Sequence, residues 1–171
     1  MKNTKRLLTW ILVAVLVVSA IALVACVDKP APKQLAELTL PELKDNQMAV
    51  IIKNGDKDYT SYVVTLGNGG TDATTVEGVI TYLNDLGVLA VDWEDSSFGK
   101  YIHGIGNIAE DASKSAYVIA YTSIAKDKGT YAGVTTYEVG NLTIVEAGVG
   151  VSEMSVEAGA VIYFEIVSYS F

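Results

Sequence analysis

Few side chains in this sequence have the types and spacing that catalysis requires. Ser97 and Lys100 stand three residues apart, in the S-x-x-K pattern in which a lysine accepts the proton of a nucleophilic serine. That geometry needs a helix, whereas Gly99 and the loop-like sequence around it disfavour one, and no S-D-N or K-T-G motif follows. We therefore predict no catalytic residue and no enzymatic activity.

A second pattern, from Gly104 to Ala109, reads G-x-G-x-x-A, which is typical of dinucleotide-binding turns. In those turns a helix begins directly after the glycines, and its N-terminus faces the pyrophosphate. Here Glu110 and Asp111 follow, which would place negative charge beside a phosphate, and no helical periodicity continues. The glycines are therefore interpreted as turn residues.

Side chains that could bind a metal are scarce. The chain has one histidine, His103, and one cysteine, so a zinc site would need carboxylate ligands. Asp92, Glu94 and Asp95 lie close together, and their oxygens could bind calcium weakly. The spacing matches no established metal motif, and we predict no metal site.

Aromatic side chains give the strongest indication of a binding surface. The chain has ten tyrosines, and a ring with a polar tip offers a large contact area together with a hydrogen bond. Tyr117 and Tyr121 share one face of a predicted strand, Tyr163 lies on another, and Trp93 lies in a predicted loop. We predict these four residues as contacts for a ligand or partner; the alternative is that the tyrosines follow strand propensity.

The charge balance argues against nucleic acid as a partner. Twelve lysines and arginines stand against twenty acidic residues, which gives a formal net charge of −8. Without residues 1–25, nine lysines and no arginine would remain, and the net charge would be −11. Nucleic-acid binding needs cations clustered on one face, so we predict no nucleic-acid partner.

The N-terminus predicts export and a lipid anchor. Basic residues within positions 1–6 precede an almost uncharged apolar run from Leu7 to Ala25, which is long enough to cross a bilayer. The sequence Leu23-Val24-Ala25-Cys26 resembles a bacterial lipobox, in which cleavage precedes a cysteine that carries diacylglycerol. We predict a signal peptide at 1–25, cleavage between Ala25 and Cys26, and an extracytoplasmic protein held on the cell membrane by diacylglyceryl-Cys26. A retained transmembrane anchor is the alternative.

The remaining sequence predicts a linker at 26–47, because all three prolines lie there, and a folded domain at 48–171. Thr74-x-x-Glu77 fits a capping box that opens a helix over 74–86. Alternating or β-branched runs predict strands at 48–52, 59–66, 101–103, 115–124, 134–139, 142–145 and 161–167. One helix among several strands predicts an α+β domain: a small mixed or antiparallel β-sheet packed on one main helix, β-grasp-like, preceded by a signal helix and linker.

Four segments occur in a specific order: T-V-E-G-V-I-T-Y-L-N-D-L-G (75–87), F-G-K-Y-I-H-G-I-G-N-I (98–108), S-A-Y-V-I-A-Y (115–121) and V-G-V-S-E-M-S-V-E-A-G-A-V-I-Y-F-E-I (149–166). This order resembles the transcobalamin-C-terminal-like domain of bacterial surface lipoproteins, the DUF4430 family. The sequence departs from the family pattern at Ala160, where an acidic residue is usual, and in an insertion that extends to Val145. In transcobalamins the corresponding domain closes over a corrinoid held partly by a helical barrel, and this chain has no barrel.

Two hypotheses on function follow from the lipobox, the linker and the resemblance. The first is a non-catalytic extracellular binding module for a corrinoid-like small molecule such as cobalamin, with no other cofactor. The alternative is a structural or adhesive surface module that binds protein or glycan and no small ligand. A deep apolar pocket would favour the first, and a flat tyrosine-lined sheet the second.

Overall fold

The computed structural model describes residues 31–35 and 37–170, and strands dominate this part of the chain. The predicted signal peptide and its cleavage and lipidation site at Ala25 and Cys26 lie outside the described residues. The elements are β1 (Lys33–Gln34), β2 (Gln47–Lys53), β3 (Tyr59–Thr65), α1 (Val76–Asp85), β4 (Val91–Ser96), β5 (Gly99–Ile105), β6 (Ile108–Ala109), β7 (Ala116–Thr122), β8 (Thr136–Val139), β9 (Leu142–Glu146) and β10 (Val161–Ser168), with 3₁₀ helices at Ala112–Lys114 and Ala125–Asp127.

Seven strands form the larger sheet, in the order β1-β8-β9-β7-β10-β2-β3. Its neighbours are antiparallel except for β1 with β8 and β2 with β10, which are parallel. Strands β4, β5 and β6 form a separate antiparallel sheet. The domain has two cores, one on each face of the larger sheet: the helix and the small sheet cover the first, and the N-terminal segment covers the second.

Strand β2, next to the edge strand β3, is buried on both of its faces. Met48, Val50 and Ile52 enter the first core, and Ala49 and Ile51 enter the second. Because successive side chains of a strand point to opposite faces, a strand covered on both sides needs an uninterrupted apolar run. The run M-A-V-I-I therefore marks a strand that is covered on both faces of the sheet.

The predicted architecture, a sheet packed on one main helix, is wrong. The domain is mostly β-structure with two sheets, and its one α-helix has ten residues. The small sheet supplies Ile102, Ile105 and Ile108 to the first core, beside the helix. The sequence analysis predicted a strand at 101–103, within β5, but none at β4, whose sequence V-D-W-E-D-S has three acidic residues.

The helix lies within the predicted range 74–86, but its start differs. The N-cap is Thr75 rather than Thr74, and its Oγ1 accepts a hydrogen bond of 3.3 Å from the backbone N–H of Gly78. Leu86 lies after the last helical turn and is 56% exposed. The buried stripe therefore ends at Leu83.

Part of the predicted linker packs against the domain. β1 pairs with β8, and the side chains of Leu35 and Leu38 are buried in the second core. Leu40 and Leu43 pack against the same core from the following turns. The prolines prevent a long helix here, while the leucines between them cover one face of the sheet.

None of the helices in the described ranges has the length and apolar character that crossing a membrane would require.

Candidate functional site

An open apolar groove lies between the β4–β5 hairpin and the larger sheet, and we call it the hairpin groove. Its inner part has a volume of about 200 Å³. A second part, of about 370 Å³, shares Ala147, Val149 and Gly150 with the first and reaches Phe98. The inner part is lined by Lys100, Tyr101, Ile102, Val118, Ile119, Ala120, Glu146, Ala147, Val149, Gly150, Val151 and Phe164.

The groove forms because β9 leaves β7 after a short contact. The two strands pair only at Tyr121 with Glu146 and at Thr122 with Val145, followed by a hydrogen bond from Ala147 N to Ala120 O. The chain then crosses toward α1, so no described strand lies beside the first half of β7 on that side. The side chains of the first core are consequently accessible along this gap.

The hairpin is fixed against the crossing segment by close backbone packing. Gly99 has a φ of +92°, and a Cβ at this position would lie 2.3 Å from the Oγ of Ser152. The backbone N–H of Lys100 donates a hydrogen bond of 2.8 Å to the same oxygen. Only glycine suits both the conformation and the space, so the hairpin holds one wall of the groove in place.

A buried carboxylate fixes the other wall. Asp127 is 6% exposed, and its Oδ2 accepts a hydrogen bond of 2.7 Å from the backbone N–H of Ser155. Its backbone carbonyl accepts a second bond from the N–H of Gly148. Both ends of segment 148–155 are therefore attached to the 3₁₀ helix that contains Asp127.

Phe98 stands at the rim of the groove, in the two-residue turn between β4 and β5. Its side chain is 84% exposed, the largest exposed fraction among the large apolar residues of the described chain. Exposing a phenylalanine costs free energy unless something covers the ring. The turn therefore presents an apolar contact beside an apolar groove.

A hydrogen-bonded polar cluster lies on the outer side of β5. Glu110 accepts a bond of 2.7 Å from the Tyr101 hydroxyl and lies 2.5 Å from Nδ1 of His103, while Nε2 of His103 lies 3.6 Å from Glu94. The hydrogen bond to Glu110 raises the pKa of His103, and the same bond lowers the pKa of Glu110. Burial and Glu110 raise the pKa of Tyr101 to about 12. The side chains of Tyr101, His103 and Glu110 hold one another in place, so the cluster fixes the orientation of β5.

The S-x-x-K pattern lies in the hairpin turn and not on a helix, as predicted. Nζ of Lys100 is 2.7 Å from Oδ1 of Asp95 and 5.7 Å from the centre of the Trp93 ring. The bond to Asp95 raises the pKa of Lys100, which keeps its amine protonated. A protonated lysine cannot accept a proton from Ser97, and the absence of enzymatic activity stays a prediction.

Residues 104–109 belong to the β5–β6 hairpin, where the interpretation as a turn residue is confirmed for Gly106 but is wrong for Gly104, which lies within β5 opposite Ala109. Gly106 has a φ of +60° at the turn.

Within the described ranges, no three histidine, cysteine or acidic side chains are placed to hold a metal. Glu94 instead faces His103.

The predicted aromatic contacts do not form one surface. Tyr121 and Tyr163 are buried in the second core, at 1% and 0% exposure, so neither can contact a ligand from solvent. Tyr117 is half-buried with its ring 6.2 Å from that of Tyr169, and Trp93 packs against the first core from β4. Tyr117 and Tyr121 share one face of β7, as predicted, but leucines of the N-terminal segment cover Tyr121 and Tyr163 on that face of the sheet.

Glu165 is a buried acidic residue that the sequence analysis did not single out. It is 3% exposed, and its carboxylate accepts hydrogen bonds from Tyr137 and Tyr163 and lies 3.4 Å from Nζ of Lys53. The sequence did contain a signal for this residue, because Glu165 interrupts the apolar run V-I-Y-F-E-I. A strand buried on both faces tolerates a charged side chain only where hydrogen-bond or ion-pair partners surround it.

No family model and no curated protein matches this chain, so membership of the DUF4430 family stays a prediction. Several solved structures are similar to this chain, including these two. One is a candidate metal binding protein from Ruminococcus gnavus ATCC 29149, with a TM-score of 0.49 and 16% identity over 73% of this chain and 99% of that chain. The other is haptocorrin in complex with Cbi, with a TM-score of 0.46 and 11% identity over 77% of this chain and 27% of that chain.

Proposed function

We propose that this chain is an extracytoplasmic lipoprotein, anchored through diacylglyceryl-Cys26, that acts as a non-catalytic binding module. The observation that carries the binding role is the hairpin groove with the exposed ring of Phe98 at its rim. An apolar groove beside an exposed phenylalanine is typical of a surface that a ligand or partner covers. The lipobox and the apolar run before it support the anchor.

The shape of the groove favours a ligand that inserts one apolar face. Its inner volume of about 200 Å³ is below the range of pockets that enclose a small molecule. Ile102, Val118 and Phe164 provide apolar walls, while Lys100 and Glu146 place opposite charges at its sides. A flat ring system with polar substituents, such as a corrinoid, fits these features, with its other face left for a second protein to cover.

The anchor is tested by mass spectrometry of the full chain purified from membranes. We expect an N-terminal peptide that begins at Cys26 and carries the mass of a diacylglycerol. A Cys26→Ala variant should lose this modification. An unmodified peptide that begins at Met1 would contradict the proposed anchor but would not bear on the proposed binding at the groove.

The binding role is tested by titrating the detergent-solubilised full chain with cobalamin and recording its absorbance and the tryptophan fluorescence. We expect saturable binding that Phe98→Ser weakens by about tenfold, because the ligand would lose the apolar contact with an aromatic ring at the rim of the groove. Leu86→Ser, which removes another exposed apolar side chain that does not line the groove, should bind as the wild type does.

An unchanged spectrum at millimolar cobalamin would exclude a corrinoid and leave the adhesive alternative. In that case immobilised surface proteins and glycans are the next probes, with the same pair of variants. If Phe98→Ser and the wild type bind every probe equally, the groove is not the binding site.

A further inference from the structure

Strand β3 ends the larger sheet and has only β2 as a neighbour. The hydrogen bonds from Leu66 N to Asn46 O and from Asn54 N to Asp58 O, both 2.8 Å, mark hydrogen-bonded pairs beyond the two ends of the β2–β3 ladder. Such pairs alternate with non-hydrogen-bonded pairs along an antiparallel ladder. The even-numbered residues of β3 therefore bond to β2, and the odd-numbered ones direct their backbone groups away from it.

Tyr59, Ser61 and Val63 consequently present three N–H and three C=O groups along an open edge. Within the described residues, no hydrogen bond reaches these groups from another part of the chain. Thr65 is different, because its carbonyl accepts a bond from Thr71 N and closes one end of the edge. The open stretch thus has a definite length of five residues.

The other sheet edges of the described chain are protected. β1 and β6 have two residues each, and β4 carries Asp92, Glu94 and Asp95, which repel another acidic edge. β3 has the sequence Y-T-S-Y-V-V-T, without a charge or a proline. Proteins normally block such edges, and an unblocked one is a template for a further strand.

Exposed apolar side chains flank this edge on both faces of the sheet. Val63 is 42% exposed on the face of the second core, and Val88 is 53% exposed on the other face. Val88 shares a pocket of about 280 Å³ with Thr60 and Tyr62, and Leu86 lies two residues before it. The edge therefore combines free backbone groups with apolar contacts above and below them.

We propose that β3 binds β3 of a second copy of this chain, antiparallel, about a two-fold axis at Ser61. In this register Ser61 faces Ser61 of the second copy, and Tyr59 faces Val63 of the second copy. The three N–H groups of each strand then meet the three C=O groups of the other, so all of the open edge is satisfied. The register also stacks an aromatic ring on a β-branched side chain, a favourable cross-strand pair.

The uncharged side chains of β3 allow a second copy as the occupant, although the chain is acidic. The chain has a net charge of −8, so most of its faces would bring carboxylates together on self-association. The β3 edge places only uncharged side chains opposite one another. None of its residues lines the hairpin groove, so the dimer leaves both grooves open.

The dimer is tested with the detergent-solubilised full chain by sedimentation equilibrium. We expect a monomer–dimer equilibrium that Ser61→Lys weakens by about tenfold or more, because two ammonium groups then meet at the axis. Thr143→Lys is the matched control, since Thr143 is an exposed residue of β9, which has its own neighbours on both sides. A monomeric wild type, or equal weakening by both variants, would overturn the proposal.

Cysteine cross-linking tests the register separately. Opposite residues of a hydrogen-bonded pair have Cα atoms about 5.5 Å apart, within the span of a disulfide, so Ser61→Cys should form a covalent dimer on oxidation. Val63→Cys should not, because the two copies of residue 63 lie roughly 13 Å apart along the strands. Equal cross-linking at both positions, or cross-linking of Ser61→Cys in cells to a different protein instead of itself, would overturn the proposed pairing.

Discussion

The hydroxyl of Tyr137 donates a hydrogen bond of 2.6 Å to the carboxylate of Glu165, and both residues are buried in the second core. The hydroxyl of Tyr163 donates a second bond, of 3.1 Å, to the other carboxylate oxygen, which Lys53 also approaches. Burial of a carboxylate is costly unless such partners meet it. The cluster links β2, β8 and β10 across the sheet.

Replacing Tyr137 with phenylalanine should lower the free energy of unfolding by about 1–3 kcal/mol, because one oxygen of a buried carboxylate loses its donor. Urea denaturation followed by circular dichroism measures this change. Tyr82→Phe is the control, since the Tyr82 hydroxyl has no hydrogen-bond partner within the described residues. Equal loss of stability in the two variants would contradict the role of the cluster.

Alkaline pH should unfold the domain and ionise its buried tyrosines in one transition. Burial raises the pKa of Tyr121, Tyr137 and Tyr163 in the folded chain, while an unfolded tyrosine has a pKa of about 10. The unfolded state therefore releases these protons first, so the stability they contribute is complete below pH ~10 and is lost as the pH rises further. Phenolate absorbance and circular dichroism, recorded together, should show that these three buried tyrosines ionise only as the structure is lost. Ionisation of all tyrosines before any unfolding would argue against the burial.

Glu110→Gln should lower the pKa of His103, because the hydrogen bond to the Glu110 carboxylate is the largest cause of its elevation. The chain has one histidine, so its imidazole proton signal can be followed by NMR without assignment. The pKa of His103 is raised in the folded chain, so protonation of His103 stabilises the fold. This stabilisation is complete below the unfolded pKa of about 6.5 and is lost as the pH rises through the folded pKa. Glu42→Gln, at an exposed position, should leave the titration unchanged, and a shift equal to that of Glu110→Gln would rule out the contact.

Gly99→Ala should destabilise the domain by about 1–3 kcal/mol, because an alanine at a φ of +92° is strained and its Cβ would overlap the Ser152 hydroxyl. Hydrogen exchange should also become faster in segment 148–155, which forms one wall of the groove. Gly55→Ala is the matched control: a Cβ there has open space within 4 Å and no positive φ. If both variants unfold at the same urea concentration, the hairpin is not fixed by this contact.

Local patterns predicted the elements that carry their own signal. The stripe of Val76, Val79, Ile80 and Leu83 locates the helix, and the run from Val161 locates the last strand. The burial of Tyr121 could not be read from its strand, because it depends on Leu35 and Leu38, more than eighty residues earlier, which cover that face.

The small sheet and the groove depend on equally distant relationships. The alternation of Val91 and Trp93 with acidic residues was a readable strand signal in β4, but its partner is identified only by the position of β5. The groove exists because β9 diverges from β7 after Glu146, and nothing in either strand's sequence indicates where their pairing stops. Sequence periodicity describes what each element buries, not which element covers it.

The parallel pairing of β2 with β10 joins the first long strand of the domain to its last, with Val50 beside Ile162. During synthesis, more than a hundred residues must leave the ribosome before this pair can form. Until then, β2 and β3 can pair only with each other, as a two-stranded hairpin. A two-stranded hairpin is marginally stable in water. The hairpin of β2 and β3 therefore lacks its stabilising neighbour until β10 has been synthesised.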